Sequence, residues 1–280
     1  MKITVNDDFD LYKIAYSGQC FRVKELDKDT FAFVTGNSRV TITDLDYSGS
    51  SFAEDNSAVI SNIPRHLEIS CSGDEWSDIW HNYFDLDTCY SNIRSAIPCE
   101  DSYLRKCARI GAGIRILKQD KFEMLISFII SQRKSIPAIK TSVERICKLY
   151  GQDGYFPTAG AMLNATDEEL SGCGLGYRVS YIMDAVRRIA LKEIDLNELD
   201  KLDDDALFES LKSFKGVGVK VANCVELFAY HRTARAPIDT WIKKVIDSQY
   251  DGVNPFESYG NVAGIMQQYI FYAAQHMHEL

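Results

Sequence analysis

Residues 214–239 carry the sequence Phe-Lys-Gly-Val-Gly-Val-Lys-Val-Ala-Asn-Cys-Val-Glu-Leu-Phe-Ala-Tyr-His-Arg-Thr-Ala-Arg-Ala-Pro-Ile-Asp, which decides the fold around it. An acidic helical segment precedes this stretch, and the apolar pattern from Val219 onward predicts a second helix. Between them, Gly216 and Gly218 allow the backbone to turn tightly and to approach a ligand closely. The amides that begin the second helix can bind an anionic oxygen. Taken alone, these residues fit a plain helical hairpin and an anion-binding hairpin equally well.

The net charge of −9 is unevenly distributed along the 280 residues. Residues 1–100 contain 8 basic and 17 acidic side chains, whereas residues 101–280 contain 23 of each. The second part also holds an acidic run from Glu193 to Asp205, so basic residues are in excess elsewhere within it. Those nearest the hairpin are Lys212, Lys215, Lys220, Arg232, Arg235, Lys243 and Lys244. An acidic total therefore does not exclude a nucleic-acid-binding face.

Composition indicates a soluble globular protein, with 46% hydrophobic and 25% charged residues. No apolar run approaches the roughly 20 residues of a membrane span, and the N-terminal Met-Lys-Ile-Thr-Val-Asn-Asp-Asp lacks an apolar signal segment. We therefore expect a cytoplasmic protein that does not bind membranes. The eight cysteines form no C-x-x-C pair, so we expect reduced thiols, no metal site and no cofactor.

Hydrophobic periodicity changes along the chain. Residues 31–35 and 39–43 alternate apolar and polar side chains about Gly36-Asn37, which predicts a β-hairpin, and residues 66–71 alternate in the same way. From about residue 75 the pattern is helical, with a buried face over residues 122–130 and a second one after Pro137. We predict an α+β fold, with an N-terminal α+β domain over residues 1–117 and an all-helical domain over residues 118–280.

Several short motifs occur in an order that is far more specific than any one of them. They are Ser17-Gly-Gln-Cys-Phe-Arg22, Ile126-Ser-Phe-Ile-Ile-Ser131, Gly174-Leu-Gly-Tyr-Arg178, Gly216-Val-Gly-Val-Lys220, Pro237-Ile-Asp239, and Gln267 with Phe271. In these motifs the chain resembles the 8-oxoguanine DNA glycosylase/AP lyases of the helix-hairpin-helix-GPD superfamily. The resemblance implies an N-terminal antiparallel, TBP-like sheet domain and a helical body. It further implies base excision repair of duplex DNA containing 8-oxoguanine, carried out by a monomer that is nucleoid-associated if prokaryotic.

The resemblance assigns the chemistry to Lys220 and Asp239. Lys220 would attack the sugar C1′, expel the base and leave a Schiff base that permits β-elimination; its alternative role is phosphate binding. Asp239 would stabilise positive charge developing on the sugar. It also precedes Thr-Trp-Ile-Lys-Lys, where an aspartate is a good helix N-cap, and both roles can hold together.

Four further residues would form the base pocket. The resemblance implies that the Gly18 carbonyl accepts the N7–H which 8-oxoguanine has and guanine lacks. Cys224 lies one helical turn after Lys220 and would line the same pocket. Phe271 would close the other side of the extruded base, and Gln267 would bond its Watson–Crick edge. Without the resemblance, ordinary core or surface roles would be favoured for these residues.

DNA contacts are assigned in the same way. Gly216 and Gly218 would bind a phosphate, Tyr177 would fill the gap in the duplex, and Arg178 would contact the orphaned base. The structural alternative for Tyr177 and Arg178 is a helix C-cap and entry turn.

The chain departs from the family at three positions. Arg133 replaces the asparagine that probes the opposite base. Ala138 stands where family members have a second arginine that reads the opposite cytosine, and Trp241 stands where they usually have a histidine. We therefore expect a weakened preference for cytosine opposite the lesion.

Two other functions remain open at this stage. One is a glycosylase for another damaged base, although those for adenine or thymine glycol usually carry a C-terminal four-cysteine cluster that the chain lacks after Cys224. The other is a non-catalytic DNA-binding module that uses the hairpin as a phosphate clamp. The coincidence of Lys220 with Asp239 argues against the second.

Overall fold

The N-terminal part contains a five-stranded antiparallel sheet. The computed structural model describes residues 1–47 and 64–276. The strands are β1 (Lys2–Val5), β2 (Lys24–Asp27), β3 (Thr30–Thr35), β4 (Ser38–Asp44) and β5 (Arg65–Ile69), in the order β1-β5-β4-β3-β2. β3 and β4 meet at Gly36, whose φ of 50° suits the turn, so the predicted hairpin is confirmed. The predicted strand over residues 66–71 is confirmed as β5.

One face of this sheet is covered by aromatic and aliphatic side chains. Strand alternation directs Phe31, Phe33, Val40, Ile42 and Leu67 inward, and each is at most 1% exposed. They share a core with α1 (Leu11–Tyr16) and with the helical segment 73–83, which consists of α2 (Gly73–Glu75), a π-helical turn (Trp76–Trp80) and α3 (His81–Tyr83). Packing on the sheet therefore buries the N-terminal apolar residues.

Helices make up the remainder of the chain. They are α4 (Tyr90–Ser95), α5 (Ser102–Ile110), α6 (Lys121–Ser131), α7 (Ile136–Tyr150), α8 (Ala159–Met162), α9 (Asp167–Gly172), α10 (Val179–Ala190), α11 (Asp204–Lys212), α12 (Val219–Ala229), α13 (Thr240–Gln249) and α14 (Ala263–His276). Short 3-10 turns lie at Gly176–Arg178, Glu198–Lys201 and Phe256–Val262. The helix predicted over residues 122–130 is confirmed as α6. Among the described residues, no helix is long and apolar enough to cross a membrane.

Helix starts follow capping chemistry. The side chains of Asp120, Asp203 and Asp239 each accept a hydrogen bond from an amide three residues later, at the starts of α6, α11 and α13. Thr166 and Glu169 form a reciprocal capping box at the start of α9. α12 is different because its N-cap is Gly218 and no side chain caps it.

The chain folds into two compact units. Unit 1 comprises residues Met1–Phe33, Arg39–Lys118 and Ile238–Leu280, and unit 2 comprises Val34–Ser38 and Gln119–Pro237. Residues 238–280 group with the N-terminal part because α14 packs against α5 and α13 packs against α14. The chain thus passes from one unit to the other after residues 33, 38, 118 and 237. The sequence-based division into residues 1–117 and 118–280 stays a prediction.

Candidate active site

The glycine hairpin of unit 2 joins α11 to α12. Gly216 has a φ of 78°, and a Cβ built on it would lie 2.1 Å from Cδ2 of Tyr181 on α10, so only glycine fits this turn. α10 also holds the turn by hydrogen bonds. Asp184 Oδ2 accepts from the Lys215 amide at 2.9 Å, and Arg188 Nη1 donates to the Ser213 carbonyl at 2.7 Å. The hairpin is therefore a fixed element whose exposed α12 amides lack a side-chain cap.

Lys220 is the second residue of α12 and is half-buried. Its Nζ lies 5.3 Å from the ring centroid of Phe128 on α6. The Phe128 ring stacks on Phe228 with centroids 5.5 Å apart, which fixes its position between the two helices. Within the described part of the chain, Lys220 has no hydrogen bond or ion pair from its side chain. An amine that lies on an aromatic ring and has no carboxylate partner there is better suited to act as a nucleophile than to form a structural ion pair.

Cys224 follows Lys220 by one turn on the same helix face, as the sequence spacing predicts. Its side chain is 3% exposed. α12, the helix that carries Cys224, packs against α6. Cys224 is therefore brought together with Lys220 within unit 2, and the thiol is a packed group rather than an exposed one.

Asp239 lies in unit 1, at the N-cap of α13. Its Oδ1 accepts a hydrogen bond from the Ile242 amide at 2.9 Å. The predicted capping role is confirmed by this contact, which also fixes the carboxylate rotamer. The second carboxylate oxygen, Oδ2, is not used by the cap.

Gly18 occupies a backbone turn that the neighbouring glutamine holds in place. Its φ is 79°, a conformation that glycine adopts without strain. The fully buried Gln19 side chain donates to Ser17 Oγ at 2.9 Å and to the Arg115 carbonyl at 2.8 Å, and it accepts from the Leu117 amide at 2.8 Å. Both polar atoms of the Gln19 side-chain amide are thus hydrogen-bonded. Because Gln19 follows Gly18 directly, these bonds also hold the backbone at Gly18 in place.

Gln267 and Phe271 lie one turn apart on α14. Gln267 is 3% exposed, and its Oε1 accepts a hydrogen bond from the Gln268 side chain at 3.1 Å. Phe271 is half-buried. A helix-surface position for Gln267, the alternative considered from the sequence, is therefore wrong.

The segment carrying Tyr177 and Arg178 is a 3-10 turn that leads into α10. Tyr177 is 52% exposed, whereas Arg178 is only 6% exposed. Arg178 donates to the carbonyls of Leu175, at 3.1 Å, and of Gln132, and its guanidinium lies 4.4 Å from the Tyr177 ring centroid. Tyr177 is thus free to act as a wedge, while the guanidinium of Arg178 is engaged with the backbone of its own unit.

Arg133 follows the end of α6 and has a φ of 53°, which is rare for a residue with a side chain. Its neighbour Lys134 was missed by the sequence analysis. Lys134 Nζ donates to the Gly174 carbonyl and to Ser142 Oγ, both at 2.6 Å. Burial, together with Arg178 and Arg145 nearby, lowers the pKa of Lys134. Lys134, which follows α6, is therefore bound to Gly174, the first residue of the Gly-Leu-Gly-Tyr-Arg motif.

Three of the seven basic residues near the hairpin form ion pairs with carboxylates. Arg232 and Arg235 are bound to acidic residues of unit 2, and Lys212 pairs with Glu209. Arg235 Nε lies 3.3 Å from Oε1 of the fully buried Glu226, another residue that the sequence analysis did not assign to a site. A single glutamate within the apolar run of α12 was the signal for it. Lys215 and Lys220 are left as the cations of the hairpin itself.

No candidate metal site accompanies these residues. Within residues 1–47 and 64–276, no group of three or more His, Cys, Asp or Glu side chains could hold a metal ion. The chemical groups that the two units supply are an amine, a capped carboxylate, a thiol and a set of backbone amides.

Two family profiles match the chain in succession. Residues 126–269 match the "HhH-GPD superfamily base excision DNA repair protein". Residues 2–125 match the "8-oxoguanine DNA glycosylase, N-terminal domain".

Individual relatives agree with the profiles. A "Probable N-glycosylase/DNA lyase" of Methanothermobacter thermautotrophicus is 28% identical over 225 residues, which cover 67% of this chain and 70% of the relative. The 8-oxoguanine glycosylase/lyase of Clostridium acetobutylicum, solved with duplex DNA, is 31% identical with a TM-score of 0.82, covering 98% of this chain and 97% of that one. A structure of MBOgg1 with a low-affinity DNA ligand is 29% identical with a TM-score of 0.84, covering 98% and 95%.

The chain belongs to the HhH-GPD superfamily of base excision DNA repair proteins, whose profile spans more than half of its residues. Within that superfamily it is a member of the 8-oxoguanine DNA glycosylase/lyase family. The predictions of the family, of the α+β fold and of a DNA glycosylase with abasic-site lyase activity are confirmed.

Proposed function

We propose that the protein excises 8-oxoguanine from double-stranded DNA and then cleaves the strand at the abasic site. The observation that carries this proposal is Lys220: a half-buried amine with no carboxylate partner among the described residues, in the first turn of an uncapped helix that follows a rigid glycine hairpin. The family membership supplies the substrate class. We expect a monomer that works in the cytoplasm, and at the nucleoid if the source is a prokaryote.

Lys220 acts as the nucleophile in this proposal. Its Nζ forms a bond to C1′ of the damaged nucleotide while the bond from C1′ to N9 breaks, and the electron pair leaves with the base, which takes up a proton. Opening of the sugar ring gives an imine between Nζ and C1′. Removal of a C2′ proton then expels the 3′ phosphate, and water hydrolyses the imine to return the amine.

Asp239 stabilises the positive charge that develops on the sugar as the base departs. Its carboxylate is held by the cap at the start of α13, so no side-chain freedom is lost during the reaction. Oδ2 remains available to face the reacting sugar. Both proposed roles of Asp239 therefore use the same fixed rotamer.

The base is recognised by groups that are already ordered. We assign the N7–H of 8-oxoguanine to the Gly18 carbonyl, whose turn is held by Gln19. Cys224 and Phe271 contact the faces of the base, and Gln267 bonds its Watson–Crick edge. A fixed carbonyl discriminates against guanine because N7 of guanine is itself an acceptor, and two acceptors facing each other leave both unpaired.

DNA is held by the hairpin and opened by the 3-10 turn. The amides after Gly216 and Gly218 bind phosphate oxygens, which positions the duplex without reading its sequence. Tyr177, more than half exposed, enters the space that the extruded nucleotide leaves. Arg133 and Arg178 are assigned to the opposite strand, and contact by Arg178 requires it to exchange its carbonyl partners for the orphaned base.

Borohydride trapping tests the central step. Borohydride reduces the imine, so incubation with a duplex containing 8-oxoguanine should yield a covalent protein–DNA adduct. Lys220→Gln should abolish the adduct while keeping DNA affinity within about tenfold. The matched control is Lys148→Gln, which makes the same change at an exposed position of α7.

Three results would contradict the proposal. An adduct of undiminished yield with Lys220→Gln would remove the nucleophile from that position. Base release from a different lesion, with none from 8-oxoguanine, would change the substrate. DNA binding without base release or adduct would indicate a non-catalytic binding module.

A further inference from the structure

Side chains of Tyr230, Arg232 and Arg235 tie the chain between α12 and Asp239 to the rest of unit 2. We call residues 230–237 the linker. The Tyr230 hydroxyl donates to the Leu196 carbonyl at 2.9 Å. Arg232 Nη2 donates to the carbonyls of Asp200, at 2.8 Å, and Leu202, at 3.2 Å. The third attachment is the ion pair of Arg235, four residues before Asp239.

Arg235 is held by one buried and one exposed carboxylate. Its Nε lies 3.3 Å from Oε1 of Glu226, and its Nη2 donates to Asp205 Oδ1 at 3.3 Å. Its guanidinium also lies 5.7 Å from the Phe208 ring centroid on α11. Glu226 itself is 0% exposed and belongs to α12, the helix that carries Lys220. The buried carboxylate thus links that helix directly to the linker.

We propose that Glu226 is a positioning residue whose ion pair with Arg235 fixes the linker that leads from the helix of Lys220 to Asp239. This inference rests on the proposed function, because it assigns the two chemical groups to Lys220 and Asp239. The linker is eight residues long and has no helix or strand of its own. Loss of the Glu226 contact leaves Arg235, the last anchored residue of the linker, with only the exposed Asp205 carboxylate and the Phe208 ring of these three partners, so the backbone that leads to Asp239 becomes less defined.

The pKa of the Glu226 carboxyl is raised to near neutral pH. Burial raises its pKa from 4.5 to about 7, and Asp204 on α11 adds to this, while Arg235 and Arg232 oppose it. The other charged groups on the neighbouring elements are Lys121 and Glu123 of α6, Asp205, Glu209 and Lys212 of α11, Glu198, Asp200 and Lys201 of the 3-10 turn, and His231 of the linker. Of these, Lys121 pairs with Asp200 at 3.1 Å. Glu226 is therefore mostly ionised at pH 8, where it pairs with Arg235, and mostly protonated at pH 6.

The test compares the wild type with Glu226→Gln across pH. Glutamine has the shape of the protonated side chain, so both proteins should release 8-oxoguanine at similar single-turnover rates at pH 6. At pH 8 the wild type should be faster by about tenfold, since small displacements of a reacting group lower rates strongly. The ratio of the two rates isolates Glu226 because every other group is the same in both proteins. DNA affinity, measured separately, should differ by less than twofold at either pH.

Two further variants complete the experiment. Arg235→Gln should behave as Glu226→Gln does, with a rate close to that of the wild type at pH 6 and about tenfold lower at pH 8. The reason is that buried Glu226 stays protonated when its cation is removed. Glu209→Gln removes an exposed glutamate of α11 and should match the wild type at every pH. These variants also keep the inference testable if Glu226→Gln fails to fold.

The outcomes separate the inference from the proposed function. A rate ratio that does not change between pH 6 and pH 8, with an active wild type, overturns the role of Glu226 and leaves the glycosylase intact. Equal rates for wild type and Arg235→Gln at pH 8 overturn it as well. An inactive wild type on 8-oxoguanine duplex contradicts the proposed function instead.

Discussion

Gly216 is the position in the hairpin where one added methyl group should have the largest effect. A Cβ there would lie 2.1 Å from Cδ2, 2.4 Å from Cγ and 2.6 Å from Cε2 of Tyr181. The residue also has a φ of 78°, which side chains rarely adopt. In Gly216→Ala the ring must move, or the turn must open.

The magnitude follows from two separate costs. Alanine with a positive φ costs about 1 kcal/mol, and forcing a methyl group against a packed ring costs about 2 kcal/mol more. We therefore expect the free energy of unfolding of unit 2 to fall by about 3 kcal/mol. DNA affinity should fall as well, because the Tyr181 ring contacts Tyr177 edge-on, with centroids 5.7 Å apart, and the Lys215 ammonium lies 6.0 Å from it.

Urea unfolding followed by circular dichroism at 222 nm is the appropriate assay. Tryptophan fluorescence would not report on this change directly, because Trp76, Trp80 and Trp241 all belong to unit 1. The control is Gly172→Ala. At Gly172 a Cβ would meet no atom within 4 Å, so little change in stability is expected.

A double-mutant cycle separates the two costs. In a Tyr181→Ala background the ring is gone, so Gly216→Ala should cost only the 1 kcal/mol of its backbone conformation. A total cost below 1 kcal/mol, or an equal cost in both backgrounds, would refute the steric argument.

Four other predictions concern charge and recognition. Asp239→Asn keeps a capping oxygen, so the free energy of unfolding should change by less than about 0.5 kcal/mol while base release slows by about 100-fold; a stability loss as large as that of Asp239→Ala would count against the cap. Because the pKa of Glu226 is raised from 4.5 to about 7, the folded state binds that proton more tightly than the unfolded state does. Its stabilising contribution is therefore full below pH 4.5 and lost as pH rises through 7, a change of about 3 kcal/mol that denaturant titrations should find in the wild type and not in Glu226→Gln. With Arg133 in place of the family's asparagine, cleavage rates opposite the four bases should lie within about tenfold, and a cytosine-only preference would overturn this. Lys215→Gln should lower the slope of log Kd against log salt by about 0.9; an unchanged slope would remove Lys215 from the DNA contact.

Periodicity predicted the elements in which one face is buried. β4 and β5 alternate buried residues with more exposed ones, β3 places Phe31 and Phe33 in the core two residues apart, and α6 buries its apolar residues, so all four were visible in the sequence. β2 was missed because all four of its residues are exposed, which leaves no alternation to detect. The π-helical turn within residues 73–83 was missed for another reason: its apolar residues fit helical spacing in general and do not distinguish the hydrogen-bond pattern.

The candidate site was predictable where a role depends on local spacing. The cap at Asp239 and the shared face of Lys220 and Cys224 follow from intervals of three and four residues. Contacts between distant segments were not predictable in this way. The carbonyl partners of Arg178 and the pairing of Glu226 with Arg235 depend on how helices pack, which no local pattern encodes.

Unit 1 is discontinuous in sequence, and this has a consequence for the newly made chain. α14, which packs against α5, is translated more than 150 residues after it. Most of unit 2 is one continuous segment, Gln119–Pro237, which is synthesised before residues 238–280. The hairpin with Lys220 therefore assembles early, whereas the helices that bear Asp239, Gln267 and Phe271 dock last. A nascent chain ending near residue 237 would already hold the amine but not the carboxylate, so it would lack one of the two groups proposed for the reaction.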